Sequence, residues 1–320
     1  MDKPNIVITR KIAQPAIEQL RAIGNLTIWP KRIPPSSETL LKMVTECAAL
    51  LCLLTDRIDE DLLVAAPHLR VVSTMSVGYE HIDIESCRKR GIHVGHTPGI
   101  LTETTADFTI ALILSVARRI PEAADFARSG EWQTWEPELL LGQDLGESTI
   151  GIVGLGRVGQ AVARRAFAFG SRLLYHDTNR DIKTEEDLKI KAVPLDELLI
   201  QSDIVTLHVP LTETTHHLIG SSQLEMMKPT AILINTSRGS VVHIAALLQA
   251  LQEGKITAAG LDVTDPEPLP HNHPLYQLPN CLITPHIASA GATTRTKMAL
   301  MAVDNLVAGL EGRPLPHPVI

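Results

Sequence analysis

Residues 149–159, Thr-Ile-Gly-Ile-Val-Gly-Leu-Gly-Arg-Val-Gly, restrict the fold of this chain more than any other stretch. An apolar strand pattern runs straight into Gly154-x-Gly156-x-x-Gly159 and from there into a helical pattern. Gly154 suits a tight turn, Gly156 lets the N–H groups of Arg157 and Val158 approach a pyrophosphate with no Cβ in the way, and Gly159 lets the helix sit close to the strand. The helix N-terminus then faces the anion. Three spaced glycines also occur in ordinary turns, so the flanking residues carry the reading. The next strand pattern, 172–176, ends in Asp177, where a carboxylate accepts hydrogen bonds from adenosine ribose hydroxyls. An acid there repels a 2′-phosphate and favours NAD(H). Arg180 is a partner for such a phosphate and leaves NADP(H) open.

Around this motif the chain alternates strand and helix patterns twice over. Residues 6–9, 49–54 and 71–75 read as strands, each followed by a helical pattern at 13–23, 60–66 and 84–90. A second series starts at Thr149 and continues through 172–176, 203–209, 231–236, 258–263 and 281–284. Alternation of this kind predicts parallel sheets covered on both faces. The expected fold is therefore α/β: two Rossmann-like or flavodoxin-like doubly wound parallel-sheet domains with a cleft between them. A long apolar helix over 102–120 separates the two series and reads as a hinge or interface, and a helix over 292–310 follows the last strand. The chain is expected to cross back, so that residues 1–100 and 287–320 form a discontinuous substrate domain around a dinucleotide domain at 101–286.

Composition narrows the function classes. With 320 residues and 44% hydrophobic content the chain can bury two cores. A net charge of −7 without Lys or Arg clusters argues against nucleic acid. No apolar run approaches the length of a membrane span, and no secretory leader pattern stands at the start. The four cysteines, Cys47, Cys52, Cys87 and Cys281, lack CxxC spacing and read as small buried hydrophobes in a reducing compartment, with the cytoplasm the simplest home.

The residues suited to chemistry stand at strand exits, where open α/β sheets bind ligands. Arg238 leaves the strand at 231–236 within Asn235-Thr-Ser-Arg-Gly239, and its planar fork of donors matches a carboxylate bidentately. His286 leaves the last strand after Pro285, and an imidazole suits reversible proton exchange with a keto or hydroxyl oxygen. Glu267, within Pro266-Glu-Pro-Leu-Pro270, is expected to accept a hydrogen bond from His286 and hold its tautomer. Asp262 is a candidate for the nicotinamide carboxamide; His208, Pro210 and Thr236 are expected to line the cofactor. Met75-Ser-Val77-Gly78 follows a strand and offers backbone donors to a carboxylate. His216-His217 and His271-Asn-His273 lack metal-ligand spacing and read as surface residues, so no metal is expected.

With these residues placed, the chain resembles the D-isomer-specific 2-hydroxyacid dehydrogenases along essentially its whole length. The segments that carry the resemblance are the 154–159 loop, Asn235-Thr-Ser-Arg238-Gly239, Gly260-Leu-Asp262-Val263 with Pro266-Glu267-Pro268, and Pro285-His286-Ile287. The resemblance implies Arg238 as substrate anchor, His286 as acid/base and Glu267 as its partner. Residues 51–56, 72–78, 132–137 and 266–274 are similar to those of the animal enzymes of this family that reduce glyoxylate and hydroxypyruvate to D-2-hydroxy acids. By that similarity Val77, Gly78 and Ser289 contact substrate, Trp135 reaches into a partner subunit's pocket, and residues 102–145 build a homodimer. Those enzymes usually prefer NADP(H), with a Gly-Arg type loop where this chain has Asp177-Thr-Asn-Arg180; the departure favours NAD(H) here. Competing readings on the same scaffold are a dinucleotide-sensing co-repressor, for which a long disordered tail is missing, and a 2-hydroxyacid dehydrogenase with another substrate. Formate dehydrogenase would carry Gln at 267, and phosphoglycerate dehydrogenase a further regulatory domain.

Overall fold

The computed structural model describes residues 3–320, which divide into two compact units, residues 3–101 with Ala290–Ile320, and Thr102–Ser289. The divisions fall at 101/102 and 289/290, close to the expected 100/101 and 286/287. The segment after the last strand stays with the second unit because Asp262 of that unit binds its backbone.

In the first unit β1 (Asn5–Ile8), β2 (Asn25–Ile28), β3 (Ala49–Cys52), β4 (Val71–Thr74) and β5 (His93–Gly95) form a parallel sheet in the order β2-β1-β3-β4-β5. That is the flavodoxin-like order. β3 and β4 are buried along their whole length, as strands covered on both faces must be. One face is covered by the Gln14–Ile23 and Ala292–Leu310 helices, the latter burying Met298, Ala299, Ala302, Val303 and Leu306. The opposite face carries the helices Ser37–Val44, Glu60–Ala65 and Ile84–Lys89, capped by Ser36, Asp59 and Asp83. Each Leu or Ile buried in these layers contributes about 1.5–3 kcal/mol.

The second unit holds β6 (Thr149–Val153), β7 (Arg172–His176), β8 (Lys191–Ala192), β9 (Ile204–Leu207), β10 (Ile232–Asn235), β11 (Ala258–Leu261) and β12 (Cys281–Ile283). All pair in parallel, in the order β12-β11-β10-β9-β6-β7-β8. The strand order reverses between β6 and β9, which is where Rossmann-type sheets open a crevice. Register aligns the exits: Val153 lies opposite Leu207, Leu207 opposite Asn235, Asn235 opposite Leu261 and Leu261 opposite Ile283. Consequently Gly154, His208, Thr236, Asp262 and Thr284 all emerge at one sheet edge.

Two expectations change in detail. The long apolar helix ends at Ala117 rather than at residue 120, and a second helix covers Ile120–Ser129. Pro121 has no N–H with which to continue the first helix, so the chain turns through Arg119 at φ +52° and restarts with the proline in its first turn. The first helix is also no free hinge, since Ala106, Ile110, Leu112 and Ile113 pack into the core of the second sheet. Strands β2, β5 and β8 have no counterpart in the sequence reading. They are four, three and two residues long, and each opens on an exposed polar residue, Asn25, His93 and Lys191.

Candidate active site

The glycine loop is built around three different steric demands. Gly154 has φ +94°, and a Cβ there would lie 2.8 Å from the carbonyl carbon of His208 across the switch point. A Cβ at Gly159 would lie 2.1 Å from the Gly154 oxygen, so only glycine lets the Arg157–Ala168 helix approach β6 this closely. Gly156, the N-cap, is the opposite case: a Cβ there meets nothing within 4 Å. That open face lies at the start of the helix, whose first N–H groups have no intrahelical acceptor. The donor set suits a pyrophosphate.

Asp177 closes this cradle from β7. Its Oδ2 accepts from the Leu155 N–H at 2.7 Å and its Oδ1 from the Asn179 N–H at 3.1 Å. Partial burial alone would raise its pKa, but these backbone donors and those of Thr178 outweigh it and hold the carboxyl below its ordinary range. Asp177 is thus a charged acceptor at neutral pH. Arg180 faces away from that role: its Nε donates to Glu185 Oε1 at 3.0 Å and its Nη2 also bonds Glu185, which accepts from the Tyr175 hydroxyl at 2.6 Å as well. An arginine held this way must leave its carboxylate before it can meet a phosphate.

Further along the same edge, His208 Nε2 lies 3.0 Å from Thr206 Oγ1, and desolvation pushes the imidazole down to about 3, so it is neutral. Thr236 is buried and donates to Thr109 Oγ1, whose own proton goes to the Thr105 carbonyl. Pro210 is exposed, its carbonyl accepting from Thr215 Oγ1 at 2.6 Å. Asp262 stands at the same edge and holds the chain beyond β12. At 1% exposure its carboxylate accepts from Thr284 Oγ1 at 2.7 Å, the Ile287 N–H at 2.9 Å and the Ala288 N–H at 2.7 Å. Three of a carboxylate's roughly four lone-pair sites serve the segment that carries His286.

That segment holds an unusual backbone. His286 has φ +53°, a conformation costing about 1–3 kcal/mol for a residue with a Cβ. It persists because its N–H donates to the Asp262 carbonyl at 2.9 Å while the Asp262 carboxylate grips both sides. The result aims the imidazole at Glu267, with His286 Nδ1 and Glu267 Oε1 2.5 Å apart. Nδ1 donates to the carboxylate, which leaves Nε2 as the atom available for proton exchange. Glu267 is itself held at Oε2 by the Thr264 N–H at 3.3 Å.

Arg238 caps the short helical turn Gly239–Val241 and is half-buried, one guanidinium N–H reaching the Ser237 carbonyl at 2.9 Å. Its peptide is fixed by Asn235, fully buried, whose Nδ2 donates to the Arg238 carbonyl at 2.9 Å and whose Oδ1 accepts from the Ser237 N–H at 3.0 Å. Neither Asn235 nor Thr264 has a role in the sequence reading. An Asn ending an apolar strand two residues before Ser is the signature of such a side-chain turn and could have revealed the first; no local signal marks the second.

The remaining expected residues lie elsewhere. Val77 and Gly78 belong to the first unit, in the turn after β4, where Ser76 Oγ donates to the Gly78 carbonyl at 2.6 Å and His96 Nδ1 lies 2.8 Å from the Val77 oxygen. Ser289 is buried at the end of the second unit, and Trp135 is 80% exposed. Among the described residues no group of three or more His, Cys, Asp or Glu side chains could hold a metal ion. His216 and His217 instead stack on one another, and His273 caps the turn Pro274–Gln277.

A dinucleotide cradle at the switch point and a carboxylate-held histidine at the same sheet edge define an oxidoreductase site, and residues 110–288 match the model of the D-isomer specific 2-hydroxyacid dehydrogenase NAD binding domain. The chain belongs to that family. It is 48% identical over 318 residues to the glyoxylate reductase of Korarchaeum cryptofilum, covering 99% of this chain and 96% of that one. Among solved structures it resembles the TT0316 protein of Thermus thermophilus, with a TM-score of 0.94, 49% identity and coverage of 99% and 100%. It also resembles an NADPH-dependent glyoxylate/hydroxypyruvate reductase of Sinorhizobium meliloti in complex with NADP and malonate, with a TM-score of 0.84, 32% identity and coverage of 99% and 97%.

Proposed function

We propose that this protein reduces glyoxylate to glycolate and, as a second short 2-oxo acid, hydroxypyruvate to its D-2-hydroxy acid. The observation that carries the reading is the 2.5 Å contact of His286 Nδ1 with Glu267, made by a strained residue at a sheet edge shared with the glycine loop. When bound, the nicotinamide supplies the hydride that the keto carbon accepts. His286 donates the proton to the carbonyl oxygen from Nε2, while Glu267 holds the ring and stabilises the charge it carries before transfer. Arg238 clamps the substrate carboxylate through two parallel N–H donors and turns the carbonyl toward that proton. The Val77–Gly78 turn supplies backbone donors to the same anion, and Ser289 contributes its hydroxyl.

Arg157, Val158 and Gly159 offer their N–H groups to the pyrophosphate, Asp177 takes the adenosine ribose, and His208, Pro210 and Thr236 line the rest. NAD(H) is the preferred cofactor, because Asp177 is ionised and Arg180 is engaged with Glu185. The unit of residues 1–101 and 290–320 binds substrate. The functional form is a homodimer built on the 102–145 segment, with Trp135 reaching the partner's site; the 80% exposure of Trp135 and 64% of Trp132 support that. The cytoplasm is the proposed location: the cysteines form no disulfide, and burial pushes Cys47 and Cys281 up to about 12, which keeps them inert thiols.

Initial rates with glyoxylate and NADH test the assignment. His286→Ala is expected to lower kcat by about 10²–10⁴-fold. Arg238→Ala is expected to lower kcat/KM by about a hundredfold, mostly through KM, the worth of ~3 kcal/mol in charged hydrogen bonds. Turnover near that of the unaltered protein in either variant removes that residue from the mechanism.

A further inference from the structure

We propose that Ser240 and Asp265 are positioning residues that lock the Arg238 turn against the Glu267 loop, so that substrate anchor and proton donor hold one spacing. The two loops leave neighbouring strands. The ladder between β10 and β11 ends at Asn235 and Leu261, and its last continuation is the Asp262 N–H to the Asn235 carbonyl at 2.9 Å. Beyond that point the loops have no sheet to keep them in register.

Contacts past the ladder take over. Gly239 sits so close to the other loop that a Cβ would lie 1.9 Å from the Thr264 oxygen. One residue later Ser240 Oγ donates to Asp265 Oδ2 at 2.6 Å, between two half-buried side chains. An O–H to carboxylate bond of this length belongs to the strong, charge-assisted class. On the Glu267 side, Thr264 donates its N–H to the Glu267 carboxylate and its hydroxyl to the Pro266 carbonyl at 2.9 Å. Ser240 stands two residues after Arg238 and Asp265 adjoins Thr264 in sequence, so the one cross-loop hydrogen bond ties the turn that carries Arg238 to the loop whose Thr264 holds Glu267 and, through it, His286. His217, whose N–H donates to the Ser240 carbonyl at 2.8 Å, lies near the Asp265 carboxylate; desolvation and the nearby His216 and His243 lower its pKa against the opposite pull of that charge.

This inference rests on the 2-oxo acid reading above. It is tested with Ser240→Ala, Asp265→Ala, and the exchanged double variant Ser240→Asp with Asp265→Ser, which restores a hydroxyl–carboxylate pair in the opposite sense. Each single variant is expected to raise KM for glyoxylate about tenfold or more and to lower kcat, the cost of a small misplacement at a reacting centre. NADH affinity from fluorescence titration is expected to stay within about twofold, because the cradle lies on other strands. The exchanged variant is expected to recover most of the loss. Oxamate, a 2-oxo acid isostere that does not accept hydride, is expected to bind the NADH-loaded single variants about tenfold more weakly.

Unchanged kcat and KM in the singles overturn the proposal. So does a kcat loss at constant KM, the mark of fewer folded molecules, or an exchanged variant no better than the singles. A protein that fails to turn over glyoxylate at all refutes the substrate reading instead, and the oxamate affinities then decide the latch alone.

Discussion

Asp177 combines two duties in one side chain, and a single substitution separates them. One oxygen anchors the glycine loop through the Leu155 N–H, and in the proposed mode of NAD(H) binding the negative charge faces the position a 2′-phosphate would take. Asp177→Asn keeps an acceptor for Leu155 and removes the charge. The kcat/KM ratio for NADH over NADPH is expected to fall at least about tenfold, equivalent to ~1.4 kcal/mol. The charge also carries a sign in pH. Because the folded-state pKa of Asp177 is depressed, its contribution to stability is present above the unfolded carboxyl pKa, about 3.9, and fades as pH falls through the folded value. A cofactor preference unmoved by Asp177→Asn would show that some other group reads the ribose.

On the scale of elements, the start of the Arg157–Ala168 helix makes two opposite demands three residues apart. At Gly159 there is no room, and at Gly156 there is nothing but room. Gly159→Ala forces the helix away from β6, an overpacking that costs about 1–3 kcal/mol. At roughly 2–4 °C per kcal/mol for a unit of this size, the thermal midpoint is expected to drop by several degrees. Gly156→Ala, at an extended N-cap with φ −69°, is expected to leave the midpoint unchanged and to weaken NADH binding at least about tenfold, since its methyl enters the space the pyrophosphate needs. Calorimetry beside a fluorescence titration distinguishes the two. Equal effects of both substitutions on stability would contradict this division of labour. The helix is also braced sideways, Arg165 bonding Asp107 at 2.7 Å and Glu103 at 2.8 Å on the Thr102–Ala117 helix, so the cradle is backed by a second rigid element.

For the whole molecule, the Ile120–Ser129 helix buries none of its residues, and Ile120, Trp132, Trp135 and Leu141 are all more than half exposed. Apolar groups gathered in one segment mark an association surface more often than a solvent face. Light scattering is expected to give twice the chain mass of 34.9 kDa. Trp135→Ala is expected to keep that doubled mass while raising KM for glyoxylate about tenfold, because its ring is proposed to position substrate in the partner's site rather than to hold the interface together. A monomeric mass for the unaltered protein would remove the dimer and the role of Trp135 together.

What could be read from the linear order was what depends on near neighbours. Apolar runs of four or five residues bounded by helical periods mark βα alternation, and three glycines between a strand and a helix mark the cradle, because each signal lies within one turn of chain. The positions of Asp177, Arg238 and His286 at strand exits follow from that same alternation. The partnership of Glu267 with His286 was legible as an expectation, but not the means that hold it. Asp262 shows why: its carboxylate serves residues 284–288, a connection made because β11 lies beside β12 in the sheet. The Ser240–Asp265 bond is likewise a product of strand order and register, which bring loops 25 residues apart within hydrogen-bond reach, whereas the Asn235 side chain and Thr264 bind residues two or three positions away. Local periodicity encodes which residues are buried. Which polar groups meet at the ends of the strands is settled by the packing of the sheet, where each buried donor and acceptor takes the partner that the three-dimensional arrangement leaves beside it.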